Sequence, residues 1–317
     1  MSQEEKNSLA KEAEIAVSSR IRLARNMGNI PFPTRMEPGQ GEMVIDRVWE
    51  SIAKSSETMA NNMVLMKMGR LNTIDRQILV EKHLISPELG EGKKESAVIL
   101  SRDEKISIMI NEEDHLRIQC IYPGMQLEAA WKLCSKLDVL FEENMEFAFD
   151  KKLGYLSCCP TNIGTGIRAS VMLHLPALNM TGYIRSVLEA CGKLGIAVRG
   201  IYGEHSEASG SMFQISNQVT LGQTEEEIIA SVKNVASQII EQEKILRNEI
   251  YNQNPYHFED RIYRAFGLLE NARIMSAEES LKLLSDVRLG VDMGIIGGID
   301  MEILNEKIGR ASCRERV

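Results

Sequence analysis

Three runs of this 317-residue chain carry side chains that could do chemistry together. Asn111-Glu112-Glu113-Asp114-His115-Leu116-Arg117 sets carboxylates beside an arginine, and Arg199-Gly200-Ile201-Tyr202-Gly203-Glu204-His205 does so again. Between them lies Cys159-Pro160-Thr161-Asn162-Ile163-Gly164-Thr165-Gly166-Ile167-Arg168. Guanidinium forks grip phosphate oxygens bidentately and stay charged at any working pH, and carboxylates grip a guanidinium in turn. The combination points to phosphoryl transfer onto arginine, with a polyphosphate on the arginines and the acceptor on the carboxylates. A glycine-rich loop ending in Lys-Ser or Lys-Thr, the common phosphate cradle, is missing. In its place stand Arg20 and Arg22 of Ser18-Ser19-Arg20-Ile21-Arg22, with Arg117, Arg168 and Arg199, read as five arginines at strand ends. Taken singly, each arginine could be a surface or salt-bridge residue. Glu112 to Asp114 could likewise be a solvated charge run, and Cys159 a small core residue.

The elements that must position these residues follow from hydrophobic period. Residues 1–15 are polar and charged and read as a loose leader. Met43, Val44, Val48, Trp49 and Ile52 recur at helical steps, predicting a helix over 42–59, and a second helix is predicted over 74–83. Ala97–Leu100 and Lys105–Asn111 read as a hairpin, 117–122 as a third strand ended by Pro123-Gly124, and 127–141 as a helix. Strands are predicted at 146–149, 155–158, 168–174, 197–202 and 212–215, with a helix at 184–194. Thr224-x-x-Glu227 is a capping box opening a helix to about Ile250; Asn254-Pro255 breaks it, and Ser276-x-x-Glu279 caps another. The expectation is an α+β fold, an antiparallel sheet with helices on one face, followed by a smaller helical C-terminal domain. The expected boundaries are 16–244 for the catalytic domain and 245–308 for the helical one, with 309–317 a non-native tail.

A net charge of −8 argues against non-specific nucleic-acid binding, which needs a basic face. No apolar run is long enough to span a bilayer. Six cysteines without a Cys-x-x-Cys pair or a secretory leader fit a reduced, cytoplasmic protein. The five histidines show no metal-ligand spacing, so a metal is expected to arrive with a substrate.

These segments resemble the signature segments of the ATP:guanido phosphotransferases, the family of arginine and creatine kinases. They stand in the family's order, Ile215-Ser216-Asn217 and Leu221-Gly222 follow as expected, and the resemblance spans residues 15–240. The nearest branch is that of the bacterial protein-arginine kinases, which the chain resembles throughout, including Arg168 to Leu178 and the helical C-terminal part. Metabolic members carry a lid domain before Ser18; only seventeen residues precede it here, which implies a pocket open to an arginine still attached to a protein. The resemblance implies ATP with Mg²⁺ held mainly by nucleotide and water. It implies catalytic Glu113 and Glu204, with Glu113 as the preferred base and Cys159 as a thiolate beside the guanidinium. The implied nucleotide site comprises Ser18, Ser19, Arg20, Ile21, Arg22, His83, Arg117, Arg168, Ala169, Ser170, Val171, Met172, Arg199, Gly200, Ile201, Tyr202, Gly203 and Glu204.

Met172 stands where metabolic members have a histidine, and Tyr202 where arginine kinases have an arginine, which puts adenine contacts in doubt and removes a charge beside Glu204. His83 could equally be a surface residue. Implied partners are substrate proteins with accessible arginines, a zinc-binding activator protein, a heat-shock repressor, a Clp ATPase and a second copy of the chain. The Arg-Asp-x-x-Arg-Ala element of the family's phosphoarginine-sensing pocket does not occur. A small-guanidine kinase and a non-catalytic phosphoarginine-binding regulator are the alternatives.

Overall fold

Strand alternation sets the architecture. A computed structural model describes residues 15–55, 57–92, 94–200, 209–301 and 303–305. The residues expected as a leader up to 14 and as a tail from 309 lie outside them, and Ile15 is already buried in the core. Strands β1 (Ala16–Arg25), β2 (Met63–Lys67), β3 (Ala97–Ser101), β4 (Ile106–Ile110) and β5 (Leu116–Pro123) come first, and β6 (Phe149–Asp150) and β7 (Gly154–Tyr155) form a small separate ladder. With β8 (Ile167–His174), β9 (Ile196–Gly200) and β10 (Met212–Asn217), eight strands make one sheet in the order β2-β3-β4-β5-β1-β8-β10-β9, antiparallel at every pairing.

The helices are α1 (Gln40–Ser55), α2 (Glu57–Asn62), α3 (Thr73–Glu81), α4 (Pro87–Gly90), α5 (Leu127–Asn144), α6 (Pro176–Met180), α7 (Ile184–Lys193), α8 (Glu225–Gln253), α9 (Pro255–Asn271) and α10 (Ala277–Asp292). On one sheet face Ile21, Leu23, Ile108, Ile118, Ala169 and Val171 are fully buried beneath α1, α5 and α8. The other face is covered too, which the sequence reading did not expect. Val98, Leu100 and Met109 pack under Leu84, Ile85 and Leu89 at the β2–β4 edge. At the opposite side Met172 and Met212 pack against Leu281 and Leu284 of α10.

Several elements differ from expectation for local reasons. The predicted 42–59 helix is two helices, α1 and α2. The 146–149 and 155–158 strands shrink to the two-residue β6 and β7, and past the Leu156 N–H bond to Ala148 O residues 157–159 are held by side chains rather than by a ladder. Strands β1 and β2 went unread, although β1 lies fourth from one edge in the middle of the sheet. The 244–245 boundary falls inside α8, an unbroken helix opened by the Thr224–Glu227 capping box. Beyond it, Phe258, Ile262, Ala265, Val287 and Leu289 form a separate small core.

Candidate active site

The register puts all five arginines on one face. Arg22 sits opposite Arg168 and beside Gln119, Ala24 opposite Arg117, and Gln214 opposite both Met172 and Arg199. Residues two apart share a face, so Arg20, Arg22, Arg117, Arg168 and Arg199 alternate away from the side of buried Ile21, Leu23, Ile118 and Ile167 and half-buried Val198. Arg20 and Arg22 lie mid-strand, not at a strand end as expected, because β1 extends from Ala16 to Arg25. The alternation also divides the expected nucleotide residues. Ser18, Ser170 and Met172 share the arginine face, whereas Ser19, Ile21, Ala169 and Val171 turn their side chains into the core. Ser19 is spent there, donating to Gly124 O at 2.7 Å and accepting from Gln126 N–H at 2.9 Å.

Crowded like charges disfavour one another's protonated forms. Burial first, then Arg117 and Arg168, push the Arg20 guanidinium down to about 10. Arg22 is pushed well down by burial and by Arg20, Arg117 and Arg168, with Glu112 opposing. Burial, Arg199 and Arg117 lower Arg168, and Cys159 opposes them, so the thiol loop lies beside this cluster. His83 is not in a helix: it follows α3 at φ +56°, with its carbonyl accepting from Gln119 Nε2 at 3.0 Å. Desolvation, and secondarily Arg20, push it down to about 4, although the residue keeps an exposed surface. Neutral His83 and five cationic forks make a face suited to a polyanion.

Glu113 stands at the rim of this face. It is exposed, and Arg117 Nη2 reaches its Oε2 at 3.2 Å while chelating buried Glu112 through Nη1 and Nη2 at 3.0 and 2.8 Å. The turn carrying it is fixed by Asn111, at φ +58°, whose Nδ2 donates to Gly41 O and Glu95 O. Cys159 is half-buried, its Sγ 3.0 Å from Thr161 Oγ1. Neighbouring Cys158 is pushed up to about 12 by burial, then by Asp114 and Glu113, and so stays a thiol. Arg199 and Gly200 end β9; Ile201, Tyr202, Gly203, Glu204 and His205 lie outside the described residues. Among the described residues no group of three or more His, Cys, Asp or Glu side chains could hold a metal ion.

Residues 43–246 match the family model of the ATP:guanido phosphotransferase C-terminal catalytic domain. The chain belongs to the ATP:guanido phosphotransferase family. Residues 255–310 of this phosphotransferase match a second model, the protein-arginine kinase McsB C-terminal domain. Similar relatives include the protein-arginine kinases of Halothermothrix orenii, 53% identical over 93% of this chain and 84% of that one, and of Caldanaerobacter subterraneus subsp. tengcongensis, 50% identical over 93% and 87%. Lombricine kinase has the same fold at a TM-score of 0.65 and 22% identity, over 75% of this chain and 68% of that one. The duplicated taurocyamine kinase from Schistosoma mansoni, with transition-state analog components bound, aligns at 0.68 and 24% identity over 80% and 37%.

Sequence reasoning about this phosphotransferase missed the residues that hold the site together. Gln119 and Asn26 are buried amides whose partners lie 36 and 88 residues away, a distance at which spacing carries no signal. Buried Arg25, three residues beyond Arg22, chelates Asp138 at 2.9 and 2.7 Å, donates to Thr165 O, and stacks 3.5 Å over Tyr155. Its position on the core face, not its type, separates it from Arg20 and Arg22.

Proposed function

We propose that this chain moves the γ-phosphate of ATP to arginine side chains of proteins. The observation that carries the reading is the five-arginine face with an exposed carboxylate, Glu113, paired to Arg117 at its rim. The naming of relatives at about half identity as protein-arginine kinases supports protein-bound arginine as the acceptor. Arg20, Arg22, Arg168 and Arg199 would clamp phosphate oxygens, and Arg117 would span from them to the acceptor side. An arginine nitrogen attacks phosphorus only as it loses a proton, so a carboxylate on its N–H groups both aims it and takes that proton. Glu113 is assigned this role, with Glu204 as the second carboxylate by family resemblance. Magnesium, carried on the nucleotide, would supply further neutralisation of phosphate charge.

The resting Arg117–Glu113 pair holds a guanidinium where an acceptor guanidinium would sit, and a nucleotide drawing Arg117 toward its phosphates would vacate the carboxylate. Marking of proteins for a Clp protease, relief of heat-shock repression, a zinc-binding activator, self-association and a cytoplasmic location extend the same reading on family resemblance alone. No described helix is long and apolar enough to cross a membrane.

Incubation with Mg-ATP and an unfolded arginine-rich protein should yield acid-labile phosphoarginine by mass spectrometry. Glu113→Gln should lower the turnover by a factor on the order of 10² to 10⁴ while nucleotide still binds. Phosphorylation of free arginine but not of protein would make the chain a small-guanidine kinase. Full activity of Glu113→Gln would remove the carboxylate from the mechanism.

A further inference from the structure

The Glu113 turn and the Cys159 loop come from segments more than 40 residues apart, and two buried side chains, Asp114 and Asn26, join them. Asp114 accepts Asn26 Nδ2 at 2.6 Å and Cys158 N–H at 2.7 Å on one oxygen, and the Ser157 hydroxyl at 2.8 Å on the other. Ser157 Oγ in turn accepts the Cys159 N–H at 3.2 Å. Asn26 closes the opposite side, accepting from His115 N–H at 2.8 Å and donating to Leu156 O at 3.1 Å. Every connection from the β4–β5 turn to residues 156–159 named here runs through Asp114 or Asn26. We propose that Asp114 is a positioning residue, a carboxylate pin that sets the spacing between Glu113 and Cys159, two of the groups that family resemblance places at the acceptor guanidinium.

The pin rests on the kinase reading above, and its physics is simple. A buried carboxylate accepting three hydrogen bonds is a rigid joint, because each lost bond leaves a desolvated partner. Glu113 is exposed and anchored by its own turn and by Arg117, so its placement relative to Cys159 depends on the backbone beneath it. Reacting groups displaced by about 1 Å can lose on the order of 10²-fold in rate. Neither Asp114 nor Ser157 belongs to the arginine face, so nucleotide binding should be insensitive to both.

The test uses full-length protein and two readouts. Asp114→Asn puts an amide NH₂ against the Ser157 hydroxyl; Ser157→Ala removes the Ser157 link to Cys159, leaving the Cys158 N–H bond to Asp114, without changing any charge. Both should leave the KM for ATP unchanged and lower kcat, with Asp114→Asn falling on the order of 10²-fold and Ser157→Ala less. Alkylation of Cys159 by iodoacetamide, followed by peptide mass spectrometry without nucleotide or acceptor, should be faster in both variants, since a loosened loop exposes the thiol. In the Asp114→Asn/Ser157→Ala double variant the two effects should not add, because they cut one chain of bonds.

If Asp114→Asn does not fold, Ser157→Ala alone decides: an unchanged Cys159 alkylation rate and unchanged kcat overturn the pin. Additive effects in the double variant overturn it as well. Wild-type transfer to arginine tests the kinase reading separately, since the thiol measurement needs no substrate.

Discussion

Arg20 and Arg22 are half-buried cations facing further cations, an arrangement that costs stability until an anion arrives. Arg20, held at about 10, is still charged at neutral pH, so its repulsion with its neighbours is present in the ligand-free protein. Replacing Arg22 by Gln should therefore raise the melting temperature without nucleotide. It should also shrink the further rise on adding ATP, which for intact sites at a hundred times Kd amounts to about 2.7 kcal/mol. Thermal melts of both proteins with and without ATP measure the two shifts; an Arg22→Gln protein that melts lower without ligand would mean that Arg22 is chiefly structural. The same face shows what residue-level reading can do: it named Arg20 and Arg22 for the phosphate and left Arg25 out, while the chelation of Arg25 by Asp138 came only from the fold.

Strand and loop geometry decide whether these side chains meet. The Cys159 loop returns to β8 through Gly164-Thr165-Gly166, threaded between Thr220 and the end of β1. Gly164 is at φ +110°, and a Cβ there would fall 2.3 Å from Thr220 O. The approach is fixed because Thr220 Oγ1 donates to Thr161 O and Ile163 O while its carbonyl accepts from Thr165 N–H. Gly164→Ala is expected to cost at least about 2 kcal/mol from backbone strain and backbone contact, and to lower kcat with it. Gly222→Ala is the control: φ is +83° but nothing lies within 4 Å of the added Cβ, so strain acts alone. Urea midpoints that move equally in the two variants would show that the Thr220 contact relaxes.

At the scale of the molecule, the helical C-terminal unit is bonded to the sheet through a buried polar joint. Glu243, on α8, accepts from Ala177 and Leu178 N–H and from Arg247; Arg247 reaches His174 O and pairs with Asp292; and His174 Nε2 lies 2.8 Å from Ser285 Oγ on α10. Burial, then Arg288 and Arg247, drive the His174 imidazole well below its ordinary value. Folded, it stays neutral in mild acid; unfolded, it gains a proton near pH 6.5, so the unfolded state binds more protons and stability falls as pH drops below about 6.5. His115, lowered by burial, adds to the same slope. His174→Gln should flatten this acid-side loss, read as urea-unfolding free energy from pH 7.5 to 5. An unchanged slope would place the proton uptake elsewhere.

The chain's own pattern determined the chemistry class, the α+β character, the capping box of α8 and the helical C-terminal part, because charge, period and caps are local properties that survive without a fold. Strand β1 escaped because its Ile21 and Leu23 alternate with arginines that read as motif rather than as strand. That all five arginines share one face, between a cover of Leu84, Ile85 and Leu89 and another of Leu281 and Leu284, was decided by register across β5, β1, β8, β10 and β9. Asp114 looked like one acid in a charged run; only tertiary contact buries it and makes it the joint between two loops. Pairing of distant segments depends on packing free energy summed over the whole sheet, and no window of neighbouring residues contains that sum.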